Sequence, residues 1–147
     1  MAQLQESHPT TFEQTVSQVR VQLHEVVHAA REPIVTVILT VNDRRILGIG
    51  RGQSGQVESP DQLAGDATVH AINRLIGPRG QVRLEHIQRA RSGTFDVCLV
   101  QLSISADGGT RPALGVSMIS GDLAEAAARA VLDAVNRRLP RLIDLKS

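Results

Sequence analysis

The chain has 147 residues, two Phe, no Tyr or Trp, and 16 basic residues against 15 acidic ones for a net charge of +1. That length suits one domain whose core is built from Val, Ile, Leu and Ala without staples. Near-neutral charge and missing aromatics argue against a field-driven nucleic-acid or membrane binder and against a base-stacking platform. The arginines of "GPRGQVRLEHIQRARSG" are interrupted by Glu85 and read as a solvated strand and loop. Cys98, the one cysteine, excludes a disulfide within the chain and reads as a buried, inert thiol. No apolar run reaches the ~20 residues of a membrane span, and the N-terminus lacks a signal peptide's apolar segment. The expectation is a cytoplasmic protein.

In chain order, residues 1–9 are polar and expected to be loose. Phe12, Val16, Val19, Leu23, Val26 and Ala30 are spaced by four and three, which predicts an amphipathic helix over 10–32 ending before Pro33. Within it "HEVVH" (His24–His28) spells the zinc-hydrolase signature, in which two His one helical turn apart hold the metal. On that helix His24, Glu25 and His28 fall on the flank and back, away from the apolar stripe, so no metal ligand is assigned.

Residues 33–147 read as a single α+β domain. "IVTVILTV" alternates as a strand, "ND" turns, and "RRILGIGRG" returns. "SPDQ" (Ser59–Gln62) has the parts of a helix start, with Gln62 placed for a capping box and Gly65 a candidate kink, and the helix stops at Gly77 and Pro78. "QVRLEHIQRA" predicts an exposed strand. "TFDVCLVQLSIS" predicts a stronger one with Cys98, Val100, Leu102 and Ile104 on one face, and "ADGGT" a turn into "RPALGVSMIS". The last helix, "GDLAEAAARAVLDAVNRRL", starts with Asp122 and Glu125 as a capping pair and ends before Pro140.

Residues 34–76 and 95–139 repeat the same order of elements and end in "AxxxAINR" (Ala67, Asn73, Arg74) and "AxxxAVNR" (Ala130, Asn136, Arg137). The predicted architecture is α+β: an N-terminal amphipathic helix, then two βββα-like pseudo-repeats with helices packed on one face of antiparallel sheet. Asn73 and Asn136 are candidates for capping the helices or cross-linking the halves, with a ligand role as the less favoured alternative. His70 reads as a hydrogen-bonded helix histidine, with a ligand role as the alternative.

The second half is similar to the C-terminal regulatory (dimerisation) domain of the 2-isopropylmalate synthase and citramalate synthase family. The residues that carry the likeness are Gly93, Asp96, Gly115, Ser117, Asp122, Ala126 and Asn136, with Gly48, Gly50, Gly52, Asp66 and Ala67 in the first half. The resemblance covers about residues 34–139. It implies two βββα-like units and a homodimer binding a branched-chain amino acid or related carboxylate, here free-standing, without the family's catalytic barrel. The departures are extra residues between the glycines and Asp66, and the segment 10–32 in place of the barrel.

Glycines before a helix N-terminus expose N–H groups to an anion. Two such places give the candidate ligand-binding residues: Gly48, Gly50, Gly52, Asp66 and Ala67, and Gly115, Ser117, Ser120, Gly121 and Asp122. The competing reading is tight turns and helix caps. "GIGRGQSG" lacks the Lys-Ser/Thr of a P-loop, and no nucleophile–base pairing, cofactor motif or metal spacing stands out, so no catalysis and no cofactor are expected. The leading expectation is a homodimeric small-molecule-sensing module. Its alternatives are a structural or protein-interaction domain that docks a partner through helix 10–32, and, remotely, a zinc hydrolase.

Overall fold

The computed structural model describes residues 20–53, 59–78, 80–106 and 108–138. Its elements are β1 (Gln22–His28), β2 (Ile34–Val41), β3 (Arg44–Arg51), α1 (Pro60–Ile76), β4 (Gly80–Ser92), β5 (Phe95–Ala106), β6 (Gly109–Met118) and α2 (Leu123–Asn136). The order is three strands then a helix, twice. Two antiparallel sheets result, β1-β2-β3 and β4-β5-β6. The α+β class holds, and each half begins one strand earlier than the 34–76 and 95–139 repeats.

Alternation explains the central strands. Val35, Val37, Leu39 and Val41 of β2 are buried, as are Cys98, Val100, Leu102 and Ile104 of β5, because a strand's side chains alternate between its two faces. Asn42 and Asp43 close the β2–β3 hairpin with φ of 47° and 66°, the paired positive angles of a type I′ turn.

The amphipathic helix predicted over 10–32 is corrected where the structure describes it. Gln22–His28 form strand β1, paired antiparallel with β2, while Phe12, Val16 and Val19 lie outside the described residues, as do residues 1–9 and Pro140. The cause of the misreading is a β-bulge between Leu23 and Glu25. Val21 is buried, and Leu23 and Val26 pack on the same core. The bulge inserts one residue and turns the period of two into a step of three, which imitates a helix. With HEVVH on a strand, His24 and His28 are separated by roughly 13 Å of extended chain rather than the ~6 Å of a helical turn. The zinc-hydrolase geometry is therefore not formed, and among the described residues no three His, Cys, Asp or Glu are grouped to hold a metal. The docking helix expected over 10–32 likewise has no helical residues between 22 and 28.

The helices lie against each other and each touches both sheets: α1 packs on β2, β3 and β4, and α2 on β5, β6 and β1. Small residues permit that closeness. A Cβ on Gly48 would fall onto the Ala67 carbonyl oxygen and 2.9 Å from the Ala71 methyl, and one on Gly115 onto the Ala130 oxygen and 2.9 Å from the Ala134 methyl. The AxxxA faces of both helices thus meet a glycine on the third strand of each sheet, backbone against backbone.

Two asparagines close the assembly crosswise. Asn73 on α1 donates from Nδ2 to Val82 O (2.8 Å) and accepts the Val82 N–H at Oδ1 (2.7 Å). Asn136 on α2 does the same for Val21, at 3.1 and 2.9 Å. Each helix therefore holds the strand that opens the other half. α1 runs unbroken through Gly65, and Ser59 stands at its N-cap without a side-chain bond. The expected capping box is absent there, since Gln62 instead donates to Asp66 Oδ1 at 3.2 Å. At α2 the cap forms: Asp122 Oδ1 accepts the Ala124 N–H at 3.0 Å, while Glu125 pairs with Arg129 rather than completing a box.

Candidate functional site at the start of the second helix

The β4–β5 hairpin turns at Gly93, whose φ of +62° lies in the left-handed region that favours glycine. Its register sets Arg91 opposite Asp96 and Ala90 opposite Val97. Asp96 O then accepts the Ile119 N–H at 2.8 Å, which ties the end of β6 to the hairpin. Gly121, with φ +104°, bends the chain back so that α2 begins at Leu123 beside that hairpin.

These constraints enclose an open depression of about 520 Å³ lined by Arg89, Ala90, Arg91, Asp96, Ile119, Gly121 and Leu123. Arg89 and Arg91 make part of the lining cationic, Ala90, Ile119 and Leu123 make part of it aliphatic, and Leu123 is the first residue of α2. Arg91 Nε and Asp96 Oδ1 are 3.3 Å apart, with side chains 71% and 60% exposed. So exposed a pair contributes little to stability, and its polar groups are accessible to a solute. Guanidinium groups match carboxylates in a planar, two-bond geometry, and the helix dipole favours the same charge. Ile119, Leu123 and Ala90 give an apolar side chain a surface to cover.

The residues assigned from sequence divide between packing and this depression. Gly48 and Gly50 lie against the Ala67 and Leu63 carbonyls of α1, and Gly115 against the Ala130 carbonyl of α2, so their backbones are enclosed rather than offered to an anion. Gly52 donates its N–H to Pro33 O at 2.7 Å, and a Cβ there would stand 2.9 Å from the Pro33 ring. Asp66 is half-buried on α1 and accepts from Gln62. Ser117 Oγ donates to Met118 O at 3.4 Å, Ser120 is exposed, and Asp122 is engaged as the α2 cap. Of the ten, Gly121 alone lines the depression, with Ser120 and Asp122 as its chain neighbours. Sequence reading missed Arg89, Arg91, Ile119 and Leu123. The arginine-rich run "QRARSG" was the available signal, but only the hairpin register sets it beside Ile119.

Cys98 is fully buried, and burial first, then the charge of Asp61, pushes its thiol up to about 11. At neutral pH it is held as the unreactive thiol. His70 Nδ1 accepts the Ile49 N–H at 3.0 Å, so its role is a backbone bond. None of the helices among the described residues is long and apolar enough to cross a membrane.

No family model matches the chain, and no curated protein matches it.

Proposed function

We propose that this chain is a non-catalytic sensing module, homodimeric and cytoplasmic, that binds a small aliphatic carboxylate of the branched-chain amino acid kind. The observation that carries the reading is the depression at Arg89, Arg91 and Gly121 with its Ile119–Leu123 wall. A free amino acid would set its carboxylate on the arginines, its ammonium toward Asp96, and its side chain on the aliphatic residues. The doubled βββα order supports the same reading, because it is the arrangement that the resemblance to the 2-isopropylmalate synthase regulatory domain implies. A buried free thiol suits a reducing compartment.

Ligand binding to the folded state raises the melting temperature as concentration grows. The test is a thermal-shift titration with leucine, isoleucine, valine and branched 2-keto acids, repeated on an Arg89→Ala, Arg91→Ala variant. A dose-dependent rise in Tm that disappears in the variant is expected. No shift at millimolar ligand would end the sensing reading.

A structural or interaction module is favoured by a different observation. On the outer face of β6, Leu114, Val116 and Met118 are 67%, 45% and 57% exposed, with Phe95 at 58% at the start of β5. A row of exposed apolar side chains on one strand marks a protein-contact face. Under the leading reading that face pairs two copies of the chain. Under the alternative it is the whole function.

A further inference from the structure

One end of the first sheet carries a polar row across all three strands. Gln22 on β1 lies opposite Thr40 on β2, and Thr40 lies opposite Arg45 on β3. Residues directly opposite share a face, and Leu39 and Val41 on either side of Thr40 are buried, so the row points away from the core. Arg20 is exposed like Gln22, with buried Val21 between them, and the Asn42–Asp43 turn closes that end of the sheet. These six residues line a depression of about 510 Å³, polar throughout. At the backbone Arg20 and Arg45 are about 12 Å apart, three strands across and two residues along, a gap that two arginine side chains can close over Thr40. The second half supplies an internal comparison. Aligning Gly48 with Gly115, and Val21 with Val82, sets Ser103 at the place of Thr40, Pro112 at that of Arg45, Arg83 at that of Gln22 and Gln81 at that of Arg20. Its one guanidinium, on Arg83, is 3.9 Å from a carboxylate of its own, Glu85. Among the described residues Arg20 and Arg45 are in no ion pair, so their donors are open to a solute.

We propose that this depression is a site for inorganic phosphate, held from two sides by Arg20 and Arg45, with Asp43 accepting the proton that hydrogenphosphate retains. Guanidinium forks match oxyanions with paired N–H···O bonds, and the Thr40 hydroxyl and Gln22 amide add neutral donors. Two cations against one carboxylate leave the lining with a surplus positive charge. Asp43 is the group that discriminates. An ionised carboxylate is an acceptor only, so it bonds an oxyanion that bears an O–H and repels one that bears none. Hydrogenphosphate has that O–H, while sulfate and the dianion of a phosphate monoester do not. The positive φ of Asn42 and Asp43, 47° and 66°, belongs to a two-residue turn, so a tight hairpin sets where the carboxylate stands. An aliphatic carboxylate finds no apolar surface among these six residues, and none of them lines the depression at Arg89 and Arg91.

The test is a titration of the full chain at pH 8 in phosphate-free buffer, read by backbone-amide NMR, with inorganic phosphate, sulfate and glycerol 3-phosphate. At that pH only the first keeps a proton. Phosphate should shift the amides of residues 40–45 saturably and bind at least about tenfold more tightly than the other two, the worth of one charge-assisted bond. Arg20→Ala and Arg45→Ala should each weaken phosphate by at least about tenfold. Arg44→Ala, a neighbouring cation outside the lining, should leave it unchanged, and amides elsewhere in each spectrum report that the fold is kept. Asp43→Asn, which a turn with positive φ accepts, should bring sulfate level with phosphate. No saturable shift, equal binding of sulfate by the wild type, or an equal loss in Arg44→Ala overturns the site. A preference for phosphate that survives Asp43→Asn overturns the part given to Asp43.

Discussion

Asn136 holds Val21 across 115 residues of chain, bonding its N–H and its C=O at once. Asn73 holds Val82 in the same way nine residues away. The second bond is local and the first closes the molecule, so the two identical motifs differ in what they contribute to cooperativity.

Asn136→Ala leaves two backbone groups of Val21 without partners beside a core residue that is 2% exposed. Two lost bonds, each with a desolvation penalty, predict a loss of about 2–4 kcal/mol. Urea denaturation of Asn136→Ala and Asn73→Ala checks it. If Asn136→Ala unfolds at the wild-type midpoint, the crosswise closure is not a source of stability.

The glycines separate by what surrounds them. Gly115→Ala drives a methyl into the Ala130 carbonyl, which is backbone and does not yield, so a loss of about 3 kcal/mol or more is expected. Gly65→Ala meets only Leu84 Cδ2 at 2.9 Å and Ile87 Cδ1 at 3.5 Å. There the gain in helix propensity of about 1 kcal/mol offsets a small side-chain shift, and the midpoint should move little. Equal effects from the two substitutions would contradict the packing described.

Cys98 is expected to resist a thiol reagent in the native protein at pH 8 and to react fully in denaturant. Its folded value of about 11 lies above the usual thiol value, so the folded state holds the proton more tightly. Stability from this group is intact below about pH 9 and declines as pH rises toward 11, by about 2–3 kcal/mol in total. Denaturation midpoints of wild type and Cys98→Ala across pH 8–11 read it: the wild type should lose the extra pH dependence when the thiol is removed.

The exposed row on β6 gives a prediction about assembly. Leu114→Glu with Met118→Glu puts charge on that face and should convert a dimer to a monomer in sedimentation, with the fold retained by circular dichroism. A wild-type chain that is monomeric at high micromolar concentration would sink the dimer.

Much of the molecule was readable in the chain. Period-two alternation announced β2 and β5, the Asn-Asp pair announced the first hairpin, and Asp122 marked the start of α2, because each depends on neighbours within a few residues. β1 was misread although its signature was present. "VQLHEV" from Val21 and "VRLEHI" from Val82 share an apolar residue, a second two positions on and a third three beyond that, and both strands carry the bulge that this step records. Aligning those two stretches would have placed HEVVH on a strand.

By itself, then, the sequence determined the α+β class, the two helices, most strands and the apolar faces that had to be buried, since those follow from local periodicity and capping. The tertiary structure decided what the recurring residues are for. Gly48, Gly50 and Gly115, which suggested an anion cradle, lie where strand and helix backbones touch, and paired asparagines became crosswise clamps. Arg89 and Arg91 met Ile119 and Gly121 only through a hairpin register and a returning helix. Those meetings depend on which distant segments share space, and one-dimensional spacing does not carry that information.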